Sequence, residues 1–415
     1  MRVLISGAGI AGSTLAWHLA KAKAHITVLE KAPTLLPHGQ NVDIQGSAVT
    51  AIEKMGLLDQ VRQANTKELG TRFIDPKGAP FAPFPITQGS SASLTSEYEI
   101  LRGDLAKILY TATKDLHNVE YIFGTTIASV GTNSSAGVTV RLSNGKIHDF
   151  DLLVAADGQW SKVRQQCFPP DQVKAVGTGM YAVYFTVPRM PHDTNWWSIY
   201  IALKSRIVTT RPDPHGTMRA AFTFMPTSPE QDSAWKEVAR SNRPMQERLL
   251  RHEFADAGWE AHRLLGAMHT TPDLYFHVIQ QIKMTRWSSG RVVCLGDTAY
   301  APSPLTGMGT SLAIIGAYVL AGELSLLADG ENPSKALEAY EQKLRPYVEE
   351  SQKIPPFLPA IAHPGSAWKR WALQGFVGIV SRAVGTTWVA RGIGKKDDYE
   401  TFVLPEYLLS SDEKA

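Results

Sequence analysis

Three glycines near the amino terminus restrict the possible fold more than any other feature of the chain. They lie in Gly7-Ala8-Gly9-Ile10-Ala11-Gly12, between an apolar β run, Arg2–Ser6, and a helical run, Ile10–Lys23. A second β run, His25–Leu29, follows and ends at Glu30. The order is strand, tight turn, helix, strand, and in that frame each glycine has a mechanical reason. Gly7 permits the turn out of the strand. Gly9 leaves no Cβ between the backbone and a pyrophosphate. Gly12, with Ala16 one turn on, lets the helix pack close to the sheet. The helix start offers free N–H groups and a positive dipole end to phosphates. Glu30 stands where a carboxylate accepts the hydroxyls of a ribose. These features predict a Rossmann-type dinucleotide site. They do not separate FAD from NAD(P).

The 415 residues exceed what one compact core usually holds, so two coupled domains are expected. Forty-two basic residues against 39 acidic ones leave a net charge of +3, too balanced for a nucleic-acid partner or an acidic membrane surface. Cys167 and Cys294 form neither a CxxC nor a zinc pattern, which predicts a reducing, cytoplasmic setting. His252-Glu253 opens like a zinc-protease motif, but Asp256 stands where the second histidine belongs. No metal site is expected.

Ala48–Met55 and Gly103–Thr113 read as helices, and Asp151–Ala156 as a β run. Val138–Leu142 and Ile147–Phe150 flank Asn144-Gly145, a hairpin signal because both positions tolerate positive φ. Residues 178–226 change character: the helical period disappears and prolines punctuate β-branched and aromatic runs. Met180–Val187, Ser198–Leu203, Arg206–Thr210 and Met218–Phe224 read as antiparallel strands. Residues 230–265 return to helix. Arg291–Leu295 is a β run before a long helix from about Gly309. The expected architecture is α/β. A Rossmann-type domain (1–70, 98–176 and 280–330) is interrupted by a mostly antiparallel β-sheet substrate domain (71–97 and 177–279), and C-terminal helices occupy 331–415. Residues 311–327 read as a buried helix. Residues 372–394 read as a packed helix pair, with peripheral membrane contact as the alternative.

Two later motifs decide the cofactor. The first is Ala155-Ala156-Asp157-Gly158, followed by Ser161, Val163 and Arg164. The second is Cys294-Leu295-Gly296-Asp297-Thr298-Ala299, followed by Pro302, Pro304, Gly307 and Gly309. With the glycine motif, in this order, the chain resembles the class A, single-component aromatic monooxygenases of the p-hydroxybenzoate hydroxylase fold. Within them it is most similar to the tetracycline-inactivating monooxygenases and polyketide hydroxylases. The resemblance runs from residue 1 to about residue 345.

The resemblance implies noncovalent FAD. It implies that Asp297 accepts a ribityl hydroxyl and that Pro304 through Gly309 lie against the isoalloxazine. The helix that follows would aim its N-terminus at the N1–C2=O edge, which becomes anionic on reduction. Asp157-Gly158 is similar to the family segment serving both FAD and nicotinamide. Arg102, in Leu101-Arg102-Gly103-Asp104-Leu105, matches a FAD-contacting arginine at a helix start. The chain departs from the family at Tyr300, where relatives often carry histidine, and at Met308, where glutamine or leucine is common. On the substrate side, alternation puts Met180, Ala182, Tyr184 and Thr186 on one face. Arg206 and Arg219 fall near substrate-contacting positions of the tetracycline-inactivating enzymes. Tyr184, Arg206 and Arg219 are therefore the candidate pocket residues.

The activity so implied is monooxygenation of a small aromatic or enolic compound, with NADPH or NADH and O2, through a flavin C4a-hydroperoxide. No second GxGxxG gives the nicotinamide a domain of its own. Baeyer-Villiger oxidation and epoxidation are alternatives on the same intermediate, and a flavin-bound non-redox cyclase is the rival from another class. A halogenase would require Trp-x-Trp-x-Ile-Pro, which Trp196-Trp197-Ser198-Ile199-Tyr200 does not supply. A monomer and a homodimer are equally compatible with the chain.

Overall fold

The computed structural model describes residues 1–36, 39–86, 97–328, 330–355, 357–384 and 402–408. The fold is built on two large sheets. The first has six strands, in the order Ser288–Ser289, Val292–Cys294, Leu152–Ala155, Arg2–Ser6, His25–Leu29 and Val119–Ile122. All pairings are parallel except that of the edge strand Ser288–Ser289. Leu152–Ala155 and Val292–Cys294 are buried along their whole length, as expected of parallel strands covered on both faces. The helix Ile10–Lys21 packs against the helix Gly309–Ser325, which is buried from Thr310 to Leu324. Register aligns Ser6 with Ala155 and Ala155 with Cys294. The three central strands therefore end at one level, and the chain leaves them at Gly7, Ala156 and Leu295.

The second sheet has seven strands, in the order Tyr275–Met284, Val173–Pro188, Thr217–Phe224, Arg206–Pro212, Trp197–Ala202, Gly70–Ile74 and Pro80–Pro85. Only Trp197–Ala202 pairs in parallel, with Gly70–Ile74. Alternation gives the sheet two characters. Tyr181, Val183, Phe185 and Val187 lie with Val208 and Phe222 on one face. That face is backed by the helices Pro229–Ala239, Arg243–Phe254 and Ala261–Met268, through Trp235, Phe254 and Leu264. Met180, Ala182 and Tyr184 look the other way, toward the loop that carries Leu305.

One expected boundary meets a continuous element. The strand Val173–Pro188 runs for 16 residues, with a bulge between Gly177 and Met180. Tyr275–Met284 pairs with it on both sides of that bulge. A division at residue 176 would cut a strand that hydrogen bonding carries through. The expected hairpin about Asn144-Gly145 is present, with Val138–Leu142 antiparallel to Ile147–Phe150. After the helix Ser334–Ser351 come a short helix, Leu358–Ala362, and a longer one, Ala367–Val384. The second half of the helix pair expected over 372–394 falls outside the described residues. Residues 402–408 return to the first domain, where Tyr318 Oη donates to the Pro405 carbonyl at 2.8 Å. Among the described residues, no helix is long and apolar enough to cross a membrane.

The glycine motif makes a sharp contrast testable. A Cβ on Gly12 would strike the carbonyl oxygen of Gly7, whereas a Cβ on Gly9 would meet no protein atom within 4 Å. Gly12→Ala should destabilise the protein by about 1–3 kcal/mol, the usual cost of overpacking. Gly9→Ala should leave the stability of the cofactor-free protein unchanged and weaken cofactor retention. Denaturant melts and flavin released on gel filtration measure the two effects. Equal behaviour of the two variants would contradict this assignment.

Candidate active site

The turn after Arg2–Ser6 folds back onto the turn after Leu152–Ala155. Gly7 has a φ of +115°, and a Cβ there would lie 2.5 Å from the Ala156 carbonyl oxygen. Glycine is required at that contact on both counts. Glu30, at the end of the next strand, is held by two backbone donors: Ala8 N–H at 3.2 Å and Ala32 N–H at 3.0 Å. They aim its carboxylate beside the glycine turn. The helix that starts after Gly9 has no side-chain cap, so its first N–H groups remain available to an anion.

The second and third motifs are tied directly to each other. Gly158 N–H donates to Thr298 Oγ1 at 2.9 Å. Arg164, buried, donates to the Thr298 carbonyl at 2.7 Å and to the Gln159 carbonyl at 2.6 Å. Asp157 accepts from Lys162 N–H at 3.1 Å, and burial holds its carboxyl above the ordinary range. Asp297 follows the buried end of Val292–Cys294. Its side chain is reachable by solvent, yet enclosure by protein raises its carboxyl while Arg102 pulls it back. That combination describes a carboxylate on the wall of a deep cleft. Arg102 is exposed, and its guanidinium has no partner among the described residues. Gly309 borders Asp297, where a Cβ would stand 3.8 Å from Oδ1. The turn Pro304–Thr306 ends in Gly307 at a φ of +67°, and the uncapped helix Gly309–Ser325 begins next. An unpaired cation, an open carboxylate, two uncapped helix starts and a bare Gly9 are the donor set that a dinucleotide with a polyol and a ring carbonyl needs.

The β-sheet forms the opposite wall. Met180, Ala182 and Ile279 pack with Tyr184, Met225 and Leu305, so the Pro304–Gly309 loop touches this face. Register sets Tyr184 beside Tyr275, and Ala182 beside His277. Both Tyr275 and His277 feel the charge of Arg102, and Tyr275 that of Asp297. The cleft lies between these side chains and the three motifs. Both ring nitrogens of His277 are buried, with no hydrogen-bond partner among the described residues. Burial, then Arg102, pushes its pKa down to about 4, so the ring is neutral at pH 7. Burial pushes the Tyr184 hydroxyl up to about 12, so it stays a protonated donor.

The three arginines of the sheet have different fates. Arg206 pairs across the sheet with Phe224 and therefore faces the backing helices. Its guanidinium bonds the Glu253 carbonyl and, at 2.5 Å, Asp256. The pocket role expected for Arg206 does not survive this register. Arg219 lies opposite Thr186, on the face that carries Tyr184. Two carboxylates hold it, Asp213 at 3.1 Å and Asp273 at 3.0 Å. It belongs to a structural ion cluster, and its charge is already matched. Arg211, which the expected strand end at Thr210 left out, shares the face of Arg219. It grips Glu68 through two bonds of 2.9 and 3.0 Å and Glu99 at 2.5 Å, and stacks 4.1 Å from the Trp197 ring centroid. Extending the alternation Ile207, Thr209, Arg211 by one step would have found it. Glu68 and Glu99 carried no comparable signal, because their partner Arg211 lies on a distant segment, and His277 none because only register sets it beside Ala182.

The two departures from the family pattern are also explained. Tyr300 points into the core, where its hydroxyl meets that of Tyr340 at 2.9 Å and its ring packs on Trp287. Met308 packs against the same core.

Comparison with known proteins agrees with this geometry. The FAD binding domain family matches residues 1–353. The chain is 37% identical to Monooxygenase CTB7 of Cercospora beticola, over 98% of this chain and 97% of that one. It is 34% identical to the FAD-dependent monooxygenase asL6 of Sarocladium schorii, over 86% of each. The solved structure of tetracycline destructase Tet(55) superposes with a TM-score of 0.76 at 29% identity, covering 98% of both chains. HpxO of Klebsiella pneumoniae, complexed with FAD and uric acid, shares the fold at 19% identity, with a TM-score of 0.71 and 95% and 96% coverage.

The ion clusters make two predictions. Arg219→Met leaves Asp213 and Asp273 buried without their cation. The expected loss is about 3–5 kcal/mol of stability, read from denaturant melts, with retained flavin in the folded fraction. A melt within experimental error of wild type would contradict the cluster assignment. The second concerns Glu68. Burial pushes its carboxyl up, Arg211 pulls it back and Glu99 pushes it further, from 4.5 to about 7. The folded state then binds more protons than the unfolded chain between those values. This group's contribution to stability is full below about pH 4.5 and is lost as pH rises through about 7. Comparing melts of wild type and Glu68→Gln across pH 4 to 8 isolates the effect, and parallel curves would refute it.

Proposed function

The chain belongs to the family of FAD-dependent monooxygenases, and on that premise we propose that it inserts one atom of O2 into a phenolic or enolic, polyketide-type compound at the expense of NADPH or NADH. The overall balance is substrate C–H plus O2, NAD(P)H and a proton, giving C–OH, water and NAD(P)+. The observation that supports this reading is the packing of the third motif's loop, through Leu305, on the sheet face that carries Met180, Ala182 and Tyr184. The three FAD motifs line one wall, and the other is a sheet face that is apolar at Met180, Ala182 and Ile279 and polar at Tyr184 and His277.

Gly7, Gly9, Gly12 and Glu30 would hold the adenosine and pyrophosphate end of FAD, with Arg102 as the countercharge. Asp157 and Gly158 would border the middle of the cofactor, and Asp297 would accept from its ribityl chain. Pro304, Gly307 and Gly309 would bring backbone against the ring. FAD, when bound, accepts electrons from the nicotinamide and activates O2. The protein's part is to orient substrate and exclude water. The apolar patch would take the rings of the substrate. Tyr184 would donate a hydrogen bond to its oxygen, and the neutral His277 would accept from its hydroxyl. A hydroxyl relieved of part of its proton enriches the adjacent carbon in electrons, which favours attack by an electrophilic oxygen. The names of the tetracycline destructases, at 27% and 29% identity over 98% of this chain, support a fused-ring phenol or enol as the substrate class.

The test begins with the flavin. NADPH or NADH should bleach its visible absorbance under nitrogen, and air should restore it. A panel of polyketide phenols should then include one that accelerates bleaching and gains one atom from isotopically heavy O2. Failure of both nicotinamides to bleach the flavin would leave the non-redox cyclase in place of this reading.

A further inference from the structure

The helix Ala367–Val384 carries its largest apolar side chains on its outer side. Trp368 is 68% exposed, Trp371 77%, Phe376 65% and Ile379 65%. At 100° per residue these four fall on one face, with Lys369 at its edge and Arg382 on the same face about one turn past Ile379. Lys369 lies across the ring of Trp368, 5.8 Å from its centroid. The inner side is weaker, with Leu373, Val377 and Val380 only partly buried. An amphipathic helix that folds onto its own domain does the reverse and buries its best hydrophobes.

The helix is nonetheless anchored in place. Before it, His363 Nε2 meets Thr223 Oγ1 at 2.9 Å, and Ser205 N–H donates to the Pro364 carbonyl at 3.4 Å. Near its end, Ser381 Oγ donates to the Pro83 carbonyl at 2.8 Å. Ser205 lies in the turn before Arg206–Pro212, Thr223 on the strand Thr217–Phe224 and Pro83 on the edge strand Pro80–Pro85, the last two four strand gaps apart. That distance is roughly 19 Å, and the stretch Ala367–Ser381 spans about 21 Å as a helix. The aromatic face is thus held outward by contacts at both ends.

The sequence that carries this face has one sign of charge. From Ser351 to Lys396 the sequence has no Asp or Glu and seven Lys or Arg. A second copy of the chain, meeting this face through a two-fold axis, would set the cations near its two ends, Lys369 and Arg382, against each other. Tryptophan with flanking cations matches the boundary between lipid headgroups and acyl chains. We propose that the outer face of Ala367–Val384 docks the protein on an anionic lipid surface, with Trp368, Trp371, Phe376 and Ile379 inserted and Lys369 and Arg382 on the headgroups. The helix lies along the interface and does not cross it.

Flotation of the full-length, flavin-loaded protein with vesicles tests this. One set is phosphatidylcholine alone, and the other contains phosphatidylglycerol as well. Wild type should float with the second set at least tenfold more than with the first, and less in high salt. Trp368→Ala with Trp371→Ala should abolish flotation while flavin content and melting temperature stay within error of wild type. Lys369→Ala and Arg382→Ala should each weaken it about fivefold, near the usual contribution of one cation at such a surface, which covers the case in which the tryptophan pair does not fold. No flotation of wild type overturns the proposal, as does flotation that survives these substitutions. So does a concentration-dependent dimer that the tryptophan variant abolishes in the absence of lipid.

Discussion

The fold depends on one register. Parallel pairing of Arg2–Ser6 with Leu152–Ala155, and of that strand with Val292–Cys294, ends all three at the same level. Gly7, Asp157 and Asp297 come from segments about 150 and 290 residues apart in the chain, yet the sheet delivers them to one crevice. A shift of one residue in either pairing would turn a motif to the other face. Backbone bonds lock the arrangement just past the strand ends: Gly7 to Leu29, Ala156 to Ser6 and Leu295 to Ala155. Arg164 and Thr298 then add polar links between the second and third turns. The cofactor site is the consequence of a sheet edge and needs no separate scaffold.

The antiparallel sheet obeys a different constraint, the period of two along a strand. Val183, Phe185 and Phe222 build a core with the helices behind them, and the alternate residues are left to face the cleft. The same period sorts the arginines. Arg206 goes to the helices, and Arg211 and Arg219 go to the cleft side. Those two cations would be costly there alone, and four carboxylates surround them: Glu68, Glu99, Asp213 and Asp273. With these arginines held internally, the Arg102 guanidinium at the cofactor end and the His277 ring between the walls are without a hydrogen-bond partner among the described residues. With the open carboxylate of Asp297 and the hydroxyl of Tyr184, they supply the polarity facing a bound molecule.

Much of this was legible in the chain because it rests on local signals. The glycine motif, the strand-ending acids and the Asn144-Gly145 hairpin depend on neighbours within a few residues. So did the alternation that placed Tyr184 beside Met180 and Ala182. What escaped depends on pairing between distant segments. Arg206 and Arg219 look alike in sequence, each a cation beside β-branched or apolar residues, and only the sheet's register and the positions of Asp256, Asp213 and Asp273 separate them. The bulged strand Val173–Pro188 escaped for a related reason. The change of character from residue 178 read as a break between domains, whereas the ladder with Tyr275–Met284 continues past it.

The net charge of the chain was a poor guide to its surface for the same reason. Balanced totals of 42 and 39 describe an average, and acidic side chains are unevenly spent. Several are consumed inside the sheet as countercharges to arginine, and none falls between Ser351 and Lys396. A field at a surface is set by charges within about a Debye length, roughly 8 Å at physiological salt. The surface around Ala367–Val384 thus presents its local cations, whatever the rest of the molecule carries. The segment that carries this helix also bonds both the strand Thr217–Phe224 and the edge strand Pro80–Pro85, so those cations are held at a fixed place on the antiparallel sheet.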